Sequence, residues 1–390
     1  MADDPMSTDD DNSSQLAESM SSSTIPNSVD IVSNGDVVFV LNDGTKLRVH
    51  SAVLRMSSAP FEAWFGPNFS EGQDLSEKNP KEIALPEDHP AGMIFLCKVL
   101  HHKVSATEPL PDLDLLEKFA YLVDKYLCCE AVSVTAFTLL TRWLTAACAA
   151  KFQSDEHGRL LGISALLGCS ELFTLISKGL MRYHSGSFNT VKITDADNYR
   201  LLPDTLVTIA ERALAWKIHI RETVSRKIAA FFRELGEGID GRISHNCFNF
   251  SNSMESTGYQ VASCASVLSA RYSDHYRGPA LTDSLEAYFN YYIVDHNGMN
   301  FSREWIHHTS EDPGVCRFCS DSLAINELSS LIRNYVSKVK ISFRGLCLDC
   351  VRDASKEKSK RERGFCNTTH ESLPWETVKT PEFSSSPEST

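Results

Sequence analysis

Two β-rich runs, Asp36-Val37-Val38-Phe39-Val40-Leu41 and Thr45-Lys46-Leu47-Arg48-Val49, flank the tripeptide Asn42-Asp43-Gly44. An Asp-Gly turn supplies positive φ at its centre, so this stretch predicts a β-hairpin and constrains the chain more than any other. Helical spacing follows at once. Val53, Leu54 and Met56, then Phe61, Trp64 and Phe65, predict a short helical pair packed on the sheet. A third short strand over 82–85 ends at Pro86, and helical patterns run over 91–100 and from Leu113 through Leu116, Phe119, Ala120 and Val123 to Leu127. Strands followed by segregated helices indicate an α+β domain.

Beyond Glu130 the pattern is almost wholly helical. Residues 131–144 form one apolar segment, and 160–167 with 172–181 form a pair broken at Gly168, with Ser170 placed to cap the second helix. A longer pattern begins at Pro203, suited to a first helical turn, and carries Leu206, Ile209, Ala213, Trp216, Ile220, Val224, Ile228 and Phe231. Those positions repeat every three or four residues, as one buried stripe requires. Residues 236–280 are rich in Gly, Ser and Asn and read as loop, while 281–294 reads as helix.

A hydrophobic content of 42% in 390 residues is enough for two or three compact units. The net charge of -13 argues against broad phosphate-driven binding to nucleic acid, so any such contact is expected to be local. The first residues, Met1-Ala2-Asp3-Asp4-Pro5, carry neither a basic nor an apolar region of a secretory signal, and no stretch reads as a membrane span. An intracellular protein of the cytoplasm or nucleus is expected, with its 12 Cys reduced. Residues 1–29, rich in Ser, Asp and Asn, and the tail at 366–390 are expected to be disordered.

The first unit resembles the BTB/POZ family, in particular fungal proteins that carry one such domain near the N-terminus. The resemblance rests on Gly35 to Val40, Leu47-Arg48-Val49-His50-Ser51-Ala52-Val53-Leu54, Ser57 to Phe61, Phe65-Gly66, Glu71, Ile83 to Asp88 and Ala120 to Tyr126, in the family's order over about 100 residues. It implies a domain that forms dimers and, in many relatives, recruits a cullin scaffold as a substrate adaptor for ubiquitin ligation. In relatives that bind cullin, a hydrophobic residue, any residue and then Glu follow the second helix; Phe69-Ser70-Glu71 fits in place, so Phe69 and Glu71 are the partner-binding candidates. The chain departs from the family at one position. Many dimeric relatives pair the Asp matching Asp36 with an Arg directly after the His, where this chain has Ser51. A buried Asp36 then needs another partner, a hydroxyl or a backbone amide, and the paired-charge pocket of those relatives does not carry over.

Near the C-terminus Cys316-Arg317-Phe318-Cys319 and Cys347-Leu348-Asp349-Cys350 form two C-x-x-C pairs separated by residues 320–346. Such a turn lets two thiolates converge on one tetrahedral ion, so the four cysteines predict a structural Zn²⁺ site folding a small module at 301–365. Leu323, Ile325, Leu328, Leu331, Ile332, Tyr335 and Val336 predict a helix between the pairs, and the module, too small to bury much core by itself, is expected to be separate from the core of the first domain. Ordinary reduced cysteines and thiol redox chemistry remain open for the same residues, and Cys366 with His370, or His307 with His308, are alternative ligands. The basic run from Arg352 to Arg363 is diluted by Asp353, Glu357 and Glu362 and reads as a solvated mixed-charge helix.

The expected organisation is therefore a BTB/POZ domain at 30–130, a helical region at 131–235, a loop-rich segment with a short helix at 236–300 and the zinc module at 301–365. No nucleotide-loop, nucleophile-elbow or zinc-protease pattern is present in the sequence, and no enzymatic activity is expected. The reading is an interaction protein: a homodimer through its first domain, engaging a cullin scaffold and capturing a protein substrate through the rest. The alternative is a transcription regulator whose zinc module binds DNA, against which the acidity and the lack of a basic recognition helix weigh.

Overall fold

A computed structural model of the chain describes residues 28–105, 108–149, 152–193, 205–236, 278–293 and 324–354. It is an α+β protein, mostly helical, with one four-stranded sheet. Two compact units separate: Met1–Glu108 with Lys125–Ala131, and Pro109–Asp124 with Val132–Thr390.

The first unit is built on the predicted hairpin. Strands β2 (Val37–Leu41) and β3 (Lys46–Val49) pair antiparallel, with Phe39 opposite Leu47. Gly44 takes φ 83° at the turn, and the Asp43 carboxylate accepts the Thr45 N–H at 2.9 Å. Strand β4 (Lys81–Leu85) pairs parallel with β2, Ile83 beside Phe39. Strand β1 (Ser28–Asp30) adds parallel to β3 at the other edge, giving the order β1-β3-β2-β4. Its first two residues fall in the stretch read as disordered. Three residues with one apolar side chain carry no periodic signal, and the pairing partner lies 18 positions along the chain, Ser28 opposite Lys46.

Helices α1 (Ser51–Ser57), α2 (Ala59–Trp64) and α3 (Pro90–Leu100) belong to this unit. Its core joins Val37, Phe39, Leu41, Leu47 and Val49 of the sheet to Leu54, Phe61, Phe65, Met93, Leu96 and Cys97. Phe61 stacks on Tyr126 at 4.5 Å and on Phe65 at 6.1 Å. Below that stack Asp88 is buried, 1% exposed, and held by the Tyr126 hydroxyl and by Lys125 Nζ at 2.7 Å. A buried carboxylate is tolerated on those terms, paired and hydrogen-bonded.

The second unit is helical. It contains most of α4 (Leu113–Lys125) and of α5 (Cys129–Ala149), with α6 (Ser154–Leu166), α7 (Ser170–Tyr183) and α8 (Thr205–Gly236) following. Arg159 of α6 reaches Glu117 at 2.8 Å and Asp114 at 2.6 Å on α4. Helices α6 and α7 break at Gly168, φ 69°, as predicted, but Cys169 and not Ser170 occupies the cap position, so the second helix has no side-chain cap. Ile209, Ala213, Trp216, Ile220, Val224 and Ile228 form the buried stripe of α8.

Helices α9 (Leu285–Ile293), α10 (Ala324–Ser342) and α11 (Leu348–Ala354) complete the unit. These helices share the core of the helical unit, apart from that of the first unit. Leu328, Ile332, Val336 and Val339 of α10 are buried, and α10 packs on α8 and α9 while α11 packs on α7. Phe343 meets Trp216 edge-on at 5.5 Å and Phe289 at 6.3 Å. Glu286 bridges Arg182 of α7 at 2.5 Å and Lys340 of α10 at 3.0 Å. A 19-residue amphipathic helix needs an apolar partner for its stripe, and α8 and α9 supply it.

The link between α10 and α11 is clipped to α7. Leu346 N–H donates to Ser177 Oγ at 2.8 Å, and Thr174 Oγ1 donates to the Leu346 carbonyl at 2.8 Å. Gly345 lies so close that a Cβ there would sit 1.8 Å from the Thr174 carbonyl oxygen. Arg352 Nη2 donates to the Ala165 carbonyl at 2.6 Å and fastens α11 to the end of α6.

Candidate interaction surfaces

The Phe69 loop is a braced protrusion of the first unit. Phe69 has extended backbone, φ -113° and ψ 147°, and precedes a single 3₁₀ turn at Ser70–Gly72. Lys81 at the start of β4 holds the loop from below, its ammonium donating to the Ser70 carbonyl and to the Gln73 carbonyl at 3.2 Å. Gly72 closes it: a Cβ there would lie 2.2 Å from the Gly66 carbonyl oxygen and 2.5 Å from the Phe65 carbonyl carbon, so only glycine fits without a backbone shift. With both ends fixed, the Phe69 ring stays 49% exposed. The fold-back of that ring, the alternative for an aromatic in a loop, does not occur.

Glu71 is half-buried one residue beyond the ring's neighbour. Its own backbone N–H and the Ser70 hydroxyl, 3.0 Å away, hold its carboxyl below the ordinary Glu value, so it is an anion at neutral pH. The loop thus presents an apolar ring and a fixed negative charge together.

Helix α1 offers a second apolar feature that periodicity misplaced. Leu54 is fully buried, but Met56, expected to pack on the sheet, is 90% exposed. Two residues on a helix differ by about 200° in direction, so Leu54 and Met56 cannot share a face. Ala52 and Arg55 are exposed beside it. The sign that could have separated them was the even spacing itself.

The start of α1 shows how Asp36 is satisfied. Its two oxygens accept the Ser51 backbone N–H at 2.8 Å and the Ser51 hydroxyl at 2.6 Å. The hydroxyl and the backbone amide, offered by the sequence as alternative partners, are both supplied by Ser51. The same geometry bears on chemistry. Ser51, His50 and Asp36 are the residue types of a nucleophilic triad, but the serine proton goes directly to the carboxylate, and His50 Nδ1 lies 3.7 Å from Asp36. No imidazole accepts the Ser51 proton, which a nucleophilic serine requires. The His50 backbone N–H donates to His101 Nε2 at 3.1 Å, which places the His101 proton on Nδ1, 2.8 Å from the Cys97 carbonyl it donates to.

Of the four predicted metal ligands, Cys316 and Cys319 lie outside the described residues, as does the side chain of Cys350. Cys347 is half-buried and directly follows the clipped Leu346. Among the described residues no three His, Cys, Asp or Glu side chains converge as a metal site. Cys97 and Cys128 are buried, and burial raises both thiols, Cys128 up to about 12, so neither is a thiolate near neutral pH. No described helix is long and apolar enough to cross a membrane. No protein-family model matches the chain, and no curated protein matches it.

Proposed function

We propose that this protein is an interaction module of the BTB/POZ type that self-associates through its first unit and recruits a cullin scaffold as a substrate adaptor. The observation that carries the proposal is the half-exposed Phe69 on a loop braced by Lys81 and Gly72, with the Glu71 anion beside it. A large ring on a loop whose backbone is already fixed costs less to order when a partner covers it, which suits it to the role of an anchor. Exposed Met56 on α1 supports self-association, because a flexible apolar side chain adapts to a facing copy.

Light scattering on the intact protein tests the first half. A dimer or larger assembly at tens of micromolar, an order suited to weak interfaces, is expected, with Met56→Asp shifting it toward monomer. A monomer throughout that range refutes self-association. Pull-down with a cullin N-terminal domain tests the second half: Phe69→Ala should weaken binding by about 2 kcal/mol or more. Equal binding by the variant, or none by the wild type, removes the adaptor role and leaves self-association standing.

We also propose that Cys316, Cys319, Cys347 and Cys350 hold one structural Zn²⁺. Their spacing supports it, together with the clip that fixes the backbone next to Cys347. When bound, the ion would close a four-thiolate shell with no site for water, a structural role. Elemental analysis of protein purified under reducing conditions should find one zinc per chain, lost in Cys316→Ser and in Cys347→Ser. A zinc-free wild type refutes it.

A further inference from the structure

Helix α8 turns its buried stripe inward and leaves a second row outside. Along that outer row Ile218, Arg221, Glu222 and Ser225 follow at helical spacing, and with Arg226 and Leu281 they line an open groove of about 500 Å³. The far wall is fixed by Lys217, whose ammonium is buried and donates to the Leu281 carbonyl at 2.9 Å. The groove lies wholly within the helical unit. Its size is that of a site for a short peptide segment or a small molecule.

Two features select the ligand. Tyr288, whose hydroxyl donates to the Pro279 carbonyl at 2.8 Å, stands near Arg221, Arg226 Nη2 donates to Thr223 Oγ1 at 3.0 Å, and among the described residues neither guanidinium forms a salt bridge. Only Glu222 opposes them in the lining, so the groove is locally positive in a chain of net charge -13. Ile218 and Leu281, 39% and 40% exposed, give the lining its apolar surface. Guanidiniums without a salt bridge call for carboxylates, and a half-exposed Ile and Leu call for an aliphatic side chain. Inorganic phosphate or nucleic acid would satisfy the first demand and leave the second unmet.

We propose that this groove binds short acidic segments of partner proteins that carry an aliphatic side chain between their carboxylates. The carboxylates lie against Arg221 and Arg226, and the aliphatic group covers Ile218 and Leu281. The proposal is independent of self-association and of cullin binding, since none of these residues belongs to the first unit.

Fluorescence anisotropy with the intact protein and a labelled peptide Gly-Glu-Leu-Asp-Asp-Leu-Glu-Gly tests it. Binding should weaken with added salt and fall by about fivefold or more in Arg226→Glu, as surface charge pairs of this kind allow. Ile218→Asp should weaken it likewise, and Ser225→Lys should strengthen it, an outcome no misfolded variant can mimic. The peptide with every acid replaced by lysine should bind Arg226→Glu better than wild type. No binding by the wild type, equal binding of the lysine peptide, or indifference to Arg226→Glu and Ser225→Lys overturns the proposal. So does equal affinity for a peptide whose leucines are replaced by serine, or displacement by duplex DNA that shows no dependence on Ile218, either of which would make the groove a general polyanion site.

Discussion

Replacing Tyr126 by Phe removes one oxygen and leaves the ring in its stack on Phe61, 4.5 Å away. The oxygen lost is the donor to one side of Asp88, whose other side keeps Lys125 at 2.7 Å. With Asp88 1% exposed, water cannot take the vacated place. The cost is that of a buried charged acceptor left half-satisfied, about 2 kcal/mol, within the range of about 1–3 kcal/mol for such groups. Packing contributes little, because the aromatic volume is unchanged. Hydrogen exchange of the β2 and α3 amides reads the first unit without interference from the second. A loss of about 2 kcal/mol should speed exchange from globally protected amides by about 30-fold. Combining Tyr126→Phe with Asp88→Asn should cost less than the sum of the two single changes, since the second removes the charge that the first strands. Exchange in Tyr126→Phe within about twofold of wild type would show that Asp88 does not depend on the hydroxyl, and the account of this buried carboxylate would be wrong.

Gly72→Ala should displace the Phe69 loop by driving a Cβ against the Gly66 carbonyl oxygen, 2.2 Å from its ideal position, and so weaken partner binding although Phe69 itself is untouched; parallel pull-downs of Gly72→Ala and Phe69→Ala check this. Arg159→Met removes the guanidinium paired with Glu117, a buried carboxylate, at 2.8 Å and should destabilise the helical unit by about 2 kcal/mol, measured as lost hydrogen-exchange protection in α4 and α6. Burial raises the Glu286 carboxyl, but the hydrogen bonds and charges of Arg182 and Lys340 outweigh it and leave the group below its ordinary value. A depressed acid stabilises the fold fully above its unfolded pKa of about 4.3 and loses that contribution as pH falls through the lower folded value, so α7, α9 and α10 should loosen there, and Glu286→Gln should flatten that part of the profile. Under native conditions a maleimide should leave Cys97 and Cys128 unlabelled, since burial keeps both as thiols; mass spectrometry showing either labelled as fast as a free thiol would contradict that.

The sequence revealed local structure better than partners. The hairpin was readable because Asp43-Gly44 and alternating apolar residues are local signals, and the α8 stripe because six buried positions repeat at helical spacing. The kind of partner Asp36 takes was readable, because a carboxylate withdrawn from water accepts from a hydroxyl or a backbone amide, but that Ser51 supplies both was not. Strand β1 was not, since its existence depends on a pairing made across the sheet. Met56 was misassigned because apolar character alone does not fix direction on a helix. The α10 helix was anticipated, but periodicity states that a face is buried and not against what, so its union with α8 and α9 was invisible. The α8 groove depends on Leu281, 55 positions beyond Arg226, and no local pattern announces it.

The clip at Gly345 and Leu346 decides where this chain can be divided. A cut after α9, inviting on the assumption of a detachable C-terminal module, would strip Phe343 from Trp216 and Phe289 and bare the α8 stripe to water. Such a fragment would be short of a core and prone to aggregate, whereas a fragment running through α11 keeps the helical unit whole. The same joint would couple the proposed metal to the fold. An ion held by Cys347 would sit next to a backbone the helices have already ordered, so its binding energy would appear as added stability in α7, to which Leu346 is hydrogen-bonded.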